Sequence, residues 1–215
     1  MKITKELLGD MLLGAAKVWN DKKEFLSEID SRFGDGDHGV TIGKIAGAIE
    51  KNVAGWTDES MYEVLDNLGM DIMAVNGGSA GPLYGTMIGG LAGPLEGAAE
   101  IDGPLLKAMF ASSLEAMQDI TKAGVGDKTM MDALIPAVEA AKAAGASVGE
   151  ILEAAKEAAA RGAKESEQYI SKFGRARSYK EETIGTPDAG AVSTALFFAG
   201  LSDGWKGQGS TAEQT

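Results

Sequence analysis

Apolar residues recur at steps of three and four along most of this chain, which is the spacing that one buried face of an α-helix requires. The first stripe consists of Leu7, Leu8, Met11, Leu12, Ala15, Val18 and Trp19, and a short second stripe consists of Phe25, Leu26, Ile29 and Phe33. The same period predicts further helices over Ile42–Val53, Ser60–Met73, Leu83–Leu91, Leu105–Ile120, Lys128–Ala144, Ser147–Ser171 and Pro187–Ala199. No run of alternating β-branched residues is bounded by hairpin turns, so the pattern predicts an all-α fold.

Local signals refine three of these helices. Ser60 with Glu63 and Ser147 with Glu150 have the spacing of a capping box, in which the hydroxyl and the carboxylate satisfy free backbone N–H groups. The helix after Ser147 is rich in alanine, and we expect it to be the longest. Pro136 removes one hydrogen bond from its helix and should bend it.

Length and composition favour one globular domain. The 215 residues predict a single helical domain over residues 1–203, followed by a polar, glycine-spotted tail over 204–215 that should fray. The net charge of −12 repels phosphates and anionic lipid, so we expect no nucleic acid and no membrane surface as a partner. The chain has no cysteine, which excludes disulfides, thiolate-bound metals and a thiol nucleophile. Because its first residues are polar and lack a secretory signal, we expect a cytoplasmic protein.

The most informative chemistry lies in an acidic, glycine-rich turn. Asp30, Asp35 and Asp37 fall within eight residues, and such carboxylates repel one another unless a cation compensates. Oxygen ligands favour Mg²⁺ or Ca²⁺. An EF-hand is excluded, because Gly39 and Ile42 occupy positions where that loop needs oxygen ligands. The alternative is that the aspartates only form turns and bind nothing.

Other glycine-rich turns lead into predicted helices. Gly39-Val40-Thr41 opens one helix beside the aspartates, and free N–H groups at a helix start next to a metal indicate a phosphate site. Asn76–Thr86 delivers a second helix start, although tight helix crossing would explain its glycines equally well. Gly124–Thr129 is not a Walker A loop, because the spacing is wrong and no strand precedes it.

His38 is the only histidine, so a site with several histidine ligands is excluded. Its position beside the aspartates favours phosphate binding over a phosphohistidine or a plain turn residue. Arg175 and Arg177 could grip a nucleotide or could neutralise helix C-termini, and the sequence leaves open whether Arg177 assists Arg175.

Together these segments resemble one family, the nucleotide-binding (L) subunit of bacterial dihydroxyacetone kinase. The resemblance rests on Gly34–Gly39, Gly77–Gly85, Gly126–Met130, Gly174-Arg175-Ala176 and Asp188-Ala189-Gly190, which occur in the family's order across nearly the whole chain. It implies an antiparallel barrel of about eight α-helices with the nucleotide at one end.

The resemblance also implies a set of site residues. Asp30, Asp35 and Asp37 would be the catalytic carboxylates that hold two Mg²⁺ ions. The implied contacts to ADP or ATP are His38, Gly39, Val40, Thr41, Ser79, Ala80, Thr121, Met130, Arg175, Asp188, Ala189 and Gly190. The chain departs from the family pattern at Ser79-Ala80, where Ala-Ser is common, at Thr121, where glycine is common, and at Ala189, which replaces a proline.

The resemblance implies that the sugar is bound by a separate K subunit. In one version of the family, ADP is a bound coenzyme that a phosphohistidine-carrying M subunit of the phosphotransferase system rephosphorylates, and a free-standing chain of this length favours that version. An ATP-dependent kinase for dihydroxyacetone or a larger ketose, the nucleotide domain of a fatty-acid kinase, and a non-catalytic nucleotide- or Mg²⁺-binding scaffold are the alternatives. The ketose and the oligomeric state, including a homodimer, stay open.

Overall fold

The structure is a computed structural model that describes the backbone of residues 1–212 and the side chains of residues 1–207. The described backbone contains eight α-helices: α1 (Lys5–Asp30), α2 (His38–Ala54), α3 (Met61–Met73), α4 (Ala80–Gly89), α5 (Gly103–Ile120), α6 (Met131–Ala143), α7 (Val148–Glu165) and α8 (Ala189–Ala212). Short 3-10 segments cover Gly90–Leu95, Ser166–Gln168 and Arg175–Thr183. Over the described backbone, β pairing is limited to one isolated bridge between Ile3 and Ile101. The all-α prediction is therefore confirmed.

The helices form a closed ring. Each helix packs against the next one in the chain, and α8 packs against α1 to complete the circle. Inside the ring, Trp19 of α1 meets Tyr84 of α4 edge-on at 5.3 Å and stacks on Phe197 of α8 at 5.5 Å. All three aromatic side chains are fully buried, so helices distant in sequence share one apolar core.

Glycines let α1 and α8 approach closely. A Cβ at Gly204 would lie 2.6 Å from the Met11 Cα, and a Cβ at Gly14 would collide with the Gly200 carbonyl. Small residues at such a crossing allow backbone-to-backbone contact that larger side chains would prevent. Among the helices of the described residues, none is long and apolar enough to cross a membrane.

Both predicted capping boxes are present, at Ser60 with Glu63 and at Ser147 with Glu150. The prediction of separate helices at the first two apolar stripes is wrong. A single helix, α1, spans both, because the polar turn between them faces solvent without breaking the backbone pattern. Phe33 lies beyond that helix and contacts the Tyr179 ring at 5.2 Å.

Three predicted helix boundaries also need correction. Within residues 1–212, the longest helix is α1 with 26 residues, whereas α7 has 18 and ends at Glu165. Helix α6 contains Pro136 but begins at Met131, since Lys128 has a φ of 60° that a helix cannot include. The predicted frayed tail does not start at Gly204, because α8 continues to Ala212 and Trp205 packs against the core. Residues 213–215 of that tail lie outside the described residues.

Candidate functional site

One end of the helical ring contains an open cavity of about 340 Å³. Its wall includes the first residues or N-caps of all the even-numbered helices: His38 of α2, Ala80 of α4, Met130 before α6 and Ala189 of α8. Helix N-termini carry free N–H groups and the positive end of the helix dipole. Four such ends at one cavity create a site suited to a highly charged anion.

The capping pattern separates α2 and α4 from the helices that begin elsewhere. Helices α1, α3, α5 and α7 each have an N-cap side chain that accepts a hydrogen bond from the first turn. Neither Asp37 at α2 nor Ser79 at α4 makes such a bond. The first N–H groups of these two helices therefore remain available to an anion in the cavity.

The three aspartates form a compact cluster at the edge of this cavity. Helix α1 ends at Asp30, whose Oδ2 accepts a hydrogen bond from the Gly36 N–H at 2.9 Å and so curls the following turn back on itself. Gly36 has a φ of 75°, which glycine adopts without strain. As a result, Asp30, Asp35 and Asp37 each offer a carboxylate oxygen, and these oxygens lie within 4.8 Å of one another.

The cluster has the electrostatics of a cation site. Burial and then the neighbouring Asp35 carboxylate raise the pKa of Asp37 above its ordinary value. A divalent cation would relieve this repulsion, and three carboxylates without nitrogen or sulfur ligands match the preferences of Mg²⁺. The residues present therefore fit the magnesium site that the sequence predicts.

Arg175 lines the cavity from the connection between α7 and α8. Its Nη1 lies 2.6 Å from Asp35 Oδ2, and the preceding residue, Gly174, has a φ of 62°. Arg32 Nη1 donates to Thr186 Oγ1 at 3.4 Å and adds a second connection between the same two loops. Arg177 is exposed and does not line the cavity.

A buried lysine organises the opposite wall. Lys128 Nζ donates to the carbonyl oxygens of Ser166 and Thr186, each at 2.6 Å, and the residue is 5% exposed. Burial lowers the pKa of Lys128, whereas the nearby Asp188 and Asp132 oppose that shift. This lysine joins the segments before α6, after α7 and before α8 into one wall.

Asp188 caps α8 at the edge of the same wall. Its Oδ2 accepts a hydrogen bond from the Ala191 N–H at 2.7 Å, and its own N–H donates to Ser166 Oγ at 2.9 Å. Burial raises the pKa of Asp188 to about 7, against the lowering effect of the N–H of Ala191 and the charge of Lys128.

The structure brings most of the sequence-predicted residues to the cavity. Those on its wall are Asp30, Asp35, Asp37, His38, Ser79, Ala80, Met130, Arg175, Asp188, Ala189 and Gly190. Gly39, Val40, Thr41 and Thr121 are not on the wall. Gly39 and Thr41 are buried, with Thr41 packed beneath Gly77, whereas Val40 is exposed.

The Thr121 hydroxyl is used locally, since it accepts a hydrogen bond from the Ala123 N–H at 3.1 Å. Sequence reasoning did not select Tyr84, Lys128, Phe173 or Thr186, which all line the cavity. Lys128 falls inside the Gly126–Met130 motif and Tyr84 inside the Gly77–Gly85 motif, and these motifs were the local signals that could have drawn attention to them. Phe173 and Thr186 lie outside the motifs that carry the resemblance.

Comparisons with known proteins agree with this geometry. A family model described as "DAK2 domain" matches residues 32–203. Triokinase/FMN cyclase of Mus musculus is 34% identical over 87% of this chain and 33% of its own length. The "PEP-dependent dihydroxyacetone kinase 2, ADP-binding subunit DhaL" of Listeria innocua is 31% identical over 86% of this chain and 88% of its own.

Among solved structures, the dihydroxyacetone kinase of C. freundii in its native form superposes with a TM-score of 0.73 and 26% identity, over 92% of this chain and 34% of that one. The chain thus spans about a third of the length of the triokinase and of the C. freundii enzyme. The helical ring, the cavity at its end and the family match lead to the same conclusion: the chain belongs to the DAK2-domain family.

Proposed function

We propose that this chain is the nucleotide-binding subunit of a ketose kinase that acts on dihydroxyacetone or a related sugar. It would hold ADP or ATP with Mg²⁺ and pass a phosphoryl group to a sugar bound on a separate K-type chain. The observation that carries this proposal is the cavity in which three clustered carboxylates face the starts of several helices. The cavity offers carboxylates to the metal, helix N–H groups to the phosphates and a partly apolar wall to the nucleoside.

Asp30, Asp35 and Asp37 would hold the magnesium, and we propose two ions because the resemblance to the L subunits of dihydroxyacetone kinases implies a pair. Bound Mg²⁺ neutralises the charge on the phosphate oxygens. The uncapped N–H groups at His38 and Ala80 would hold the phosphates from the other side.

The nucleoside would lie toward the wall formed around Met130, Arg175 and Asp188–Gly190. A volume of about 340 Å³ falls in the range of small-molecule sites, which is about 300–1,000 Å³. The adenine ring would thus lie beside the apolar Met130, and the ribose would lie beside the polar start of α8.

Phosphoryl transfer needs positioning and charge neutralisation more than a chemical group from the protein. In this cavity the side chains bind and orient, and the proton of the sugar hydroxyl would be handled on the K-type chain. The "ADP-binding subunit" in the description of the Listeria relative supports ADP as a coenzyme that an M-type phosphohistidine protein rephosphorylates from phosphoenolpyruvate. The match to triokinase supports the alternative in which ATP exchanges.

Two further expectations stay proposals. We infer one domain over residues 1–203, supported by the single closed ring of helices. We also infer a cytoplasmic location, supported by the similarity to the ADP-binding subunit of a PEP-dependent dihydroxyacetone kinase.

Calorimetry of Mg²⁺-dependent ADP binding tests the site directly. Asp37→Asn keeps the shape of the side chain but removes one charge from the cluster, so we expect ADP affinity to fall at least about tenfold while the helical fold persists. Asp21→Asn is the matched control, because it removes the same charge from an exposed position on α1. Equal ADP affinity in both variants would refute the proposed site.

Reconstitution distinguishes the two versions of the reaction. We expect phosphoryl transfer to dihydroxyacetone when K-type and M-type proteins and phosphoenolpyruvate are added. We also expect mass spectrometry of freshly purified protein to detect bound ADP. Transfer with ATP and a K-type protein alone would assign the chain to the exchanging kinases instead.

A further inference from the structure

Phe173 is a large apolar side chain on the cavity wall that is not part of the hydrophobic core. It lies in the connection between α7 and α8 and is 40% exposed. Among the described residues, its ring contacts no other aromatic ring, whereas Phe33, the other phenylalanine that lines the cavity, contacts Tyr179. The Phe173 ring is therefore available to a ligand in the cavity.

Hydrogen bonds anchor the backbone that carries this ring. The Lys172 N–H donates to the Asp127 carbonyl at 3.2 Å, and Lys172 Nζ lies 2.6 Å from Asp127 Oδ1. Ser171 Oγ donates to the carbonyl of Phe173 at 3.2 Å, and the Ser171 N–H donates to Thr183 Oγ1 at 3.1 Å. Because these bonds fix the segment, a ligand would meet the ring without first ordering a free loop, which lowers the entropic cost of binding.

The segment that carries Phe173 connects the two ends of the proposed nucleotide site. At one end, the ion pair just described joins it to the loop that leads to Met130, the N-cap of α6 on the cavity wall. At the other end, Arg175 Nη1 lies 2.6 Å from Asp35 Oδ2 in the acidic cluster. Phe173 directly follows the ion-paired lysine and precedes the arginine by two positions. Its place in the segment is thus nearer the end toward Met130.

We therefore propose that Phe173 is a nucleoside-binding residue, whose ring stacks on the base of the nucleotide when the phosphates lie at the acidic cluster. Aromatic side chains stack on bases of any kind, because every base has a π-face. The thioether of Met130 adds a second apolar contact to the base from the loop before α6. This inference deepens the proposed nucleotide function and rests on it.

Calorimetry with two ligands separates contacts to the base from contacts to the phosphates. Mg²⁺ with ADP carries both parts, whereas Mg²⁺ with inorganic pyrophosphate carries two phosphates and no base. Phe173→Ala should weaken ADP binding by about tenfold, which is the order of effect of one lost base–aromatic stack. The same variant should bind pyrophosphate like the wild type. Phe173→Tyr keeps the aromatic face and should bind ADP like the wild type.

Phe25→Ala is the matched control, because it truncates a phenylalanine that is 49% exposed on α1 and does not line the cavity. It should leave the affinities for ADP and pyrophosphate unchanged. Phe173→Trp gives a spectroscopic test that also serves should Phe173→Ala fail to fold. ADP should quench the emission of the new indole by stacking on it, and pyrophosphate should not. The three native tryptophans do not line the cavity, and the wild-type protein corrects for their emission.

Several results would overturn the inference. Normal ADP affinity in folded Phe173→Ala contradicts the stacking role, and a weaker affinity of that variant for a K-type chain would then assign the ring to the partner interface. Equal losses of ADP and pyrophosphate binding, or an indole emission that ADP leaves unchanged, also contradict it. In these cases the wild-type chain still binds Mg-ADP, so the proposed function stands. If the wild-type chain binds neither ligand, the proposed function fails and the inference fails with it.

Discussion

Gly39, in the first turn of α2, tests whether the close contact between α1 and α2 builds the phosphate side of the cavity. A Cβ at this position would lie 2.7 Å from the carbonyl carbon of Lys23 and from Ser27 Oγ, and closer still to the Lys23 carbonyl oxygen. Ordinary contact begins at 3.4 Å, so relieving the 2.7 Å contacts alone would require the start of α2 to retreat by about 0.7 Å, and the closer carbonyl oxygen requires a larger retreat. Binding sites tolerate displacements of only about 0.5 Å.

The expected cost follows from two opposing effects. Alanine in a helix gains about 1 kcal/mol over glycine, whereas overpacking against rigid backbone costs about 3 kcal/mol. We therefore expect Gly39→Ala to lower the free energy of unfolding by about 2 kcal/mol and to weaken Mg-ADP binding, because His38 moves with the helix start. Urea unfolding and calorimetry measure the two effects separately.

Gly43→Ala is the matched control on the same helix. Its Cβ would lie 3.5 Å from the nearest atom, the flexible Lys23 Cδ, and would make ordinary contact. This variant should gain about 0.5–1 kcal/mol of stability and keep its ADP affinity. If Gly39→Ala is as stable as Gly43→Ala and binds ADP as tightly, the argument from close helix contact is refuted.

Two further predictions concern buried charges. Because the pKa of Asp188 is about 7 in the folded chain against 3.8 in the unfolded chain, its proton stabilises the fold fully below pH 3.8, and this stability is lost as the pH rises to about 7. In Asp188→Asn, the free energy of unfolding, measured with urea at each pH, should no longer fall by this amount between pH 3.8 and about 7. An unchanged fall with pH would show that Asp188 is not its source. Lys128→Met leaves the carbonyls of Ser166 and Thr186 without their donor and should cost about 3 kcal/mol. The same change at exposed Lys17 should cost less than about 0.5 kcal/mol. If thermal unfolding shows a similar loss of stability for both variants, Lys128 does not hold the cavity wall together.

Features encoded by a few neighbouring residues could be predicted from the sequence. The capping boxes at Ser60 and Ser147 each depend on two side chains three residues apart, and both are present. The acidic cluster also forms locally, because Asp30 holds the Gly36 N–H and so turns the chain back on itself. In these cases the interacting residues lie within eight positions of one another in the sequence.

Features that depend on exposure or tertiary contact could not be predicted in this way. The polar turn Asp21–Glu24 interrupts the apolar stripe, yet α1 continues through it because the turn faces solvent. Tyr84 and Ser193 are 109 residues apart, and nothing near either residue indicates their contact. The partners of Lys128 are likewise 38 and 58 residues away. Long-range packing decides such positions, and a single sequence carries no local record of it.

A crystal structure of the chain with ADP and Mn²⁺, which takes the same oxygen ligands as Mg²⁺, tests the central claim most directly. Our account predicts anomalous scattering from Mn²⁺ among the carboxylates of Asp30, Asp35 and Asp37, with the phosphates at the starts of α2 and α4 and the adenine near Met130. Mn²⁺ or ADP bound elsewhere, with that cavity empty, would contradict it.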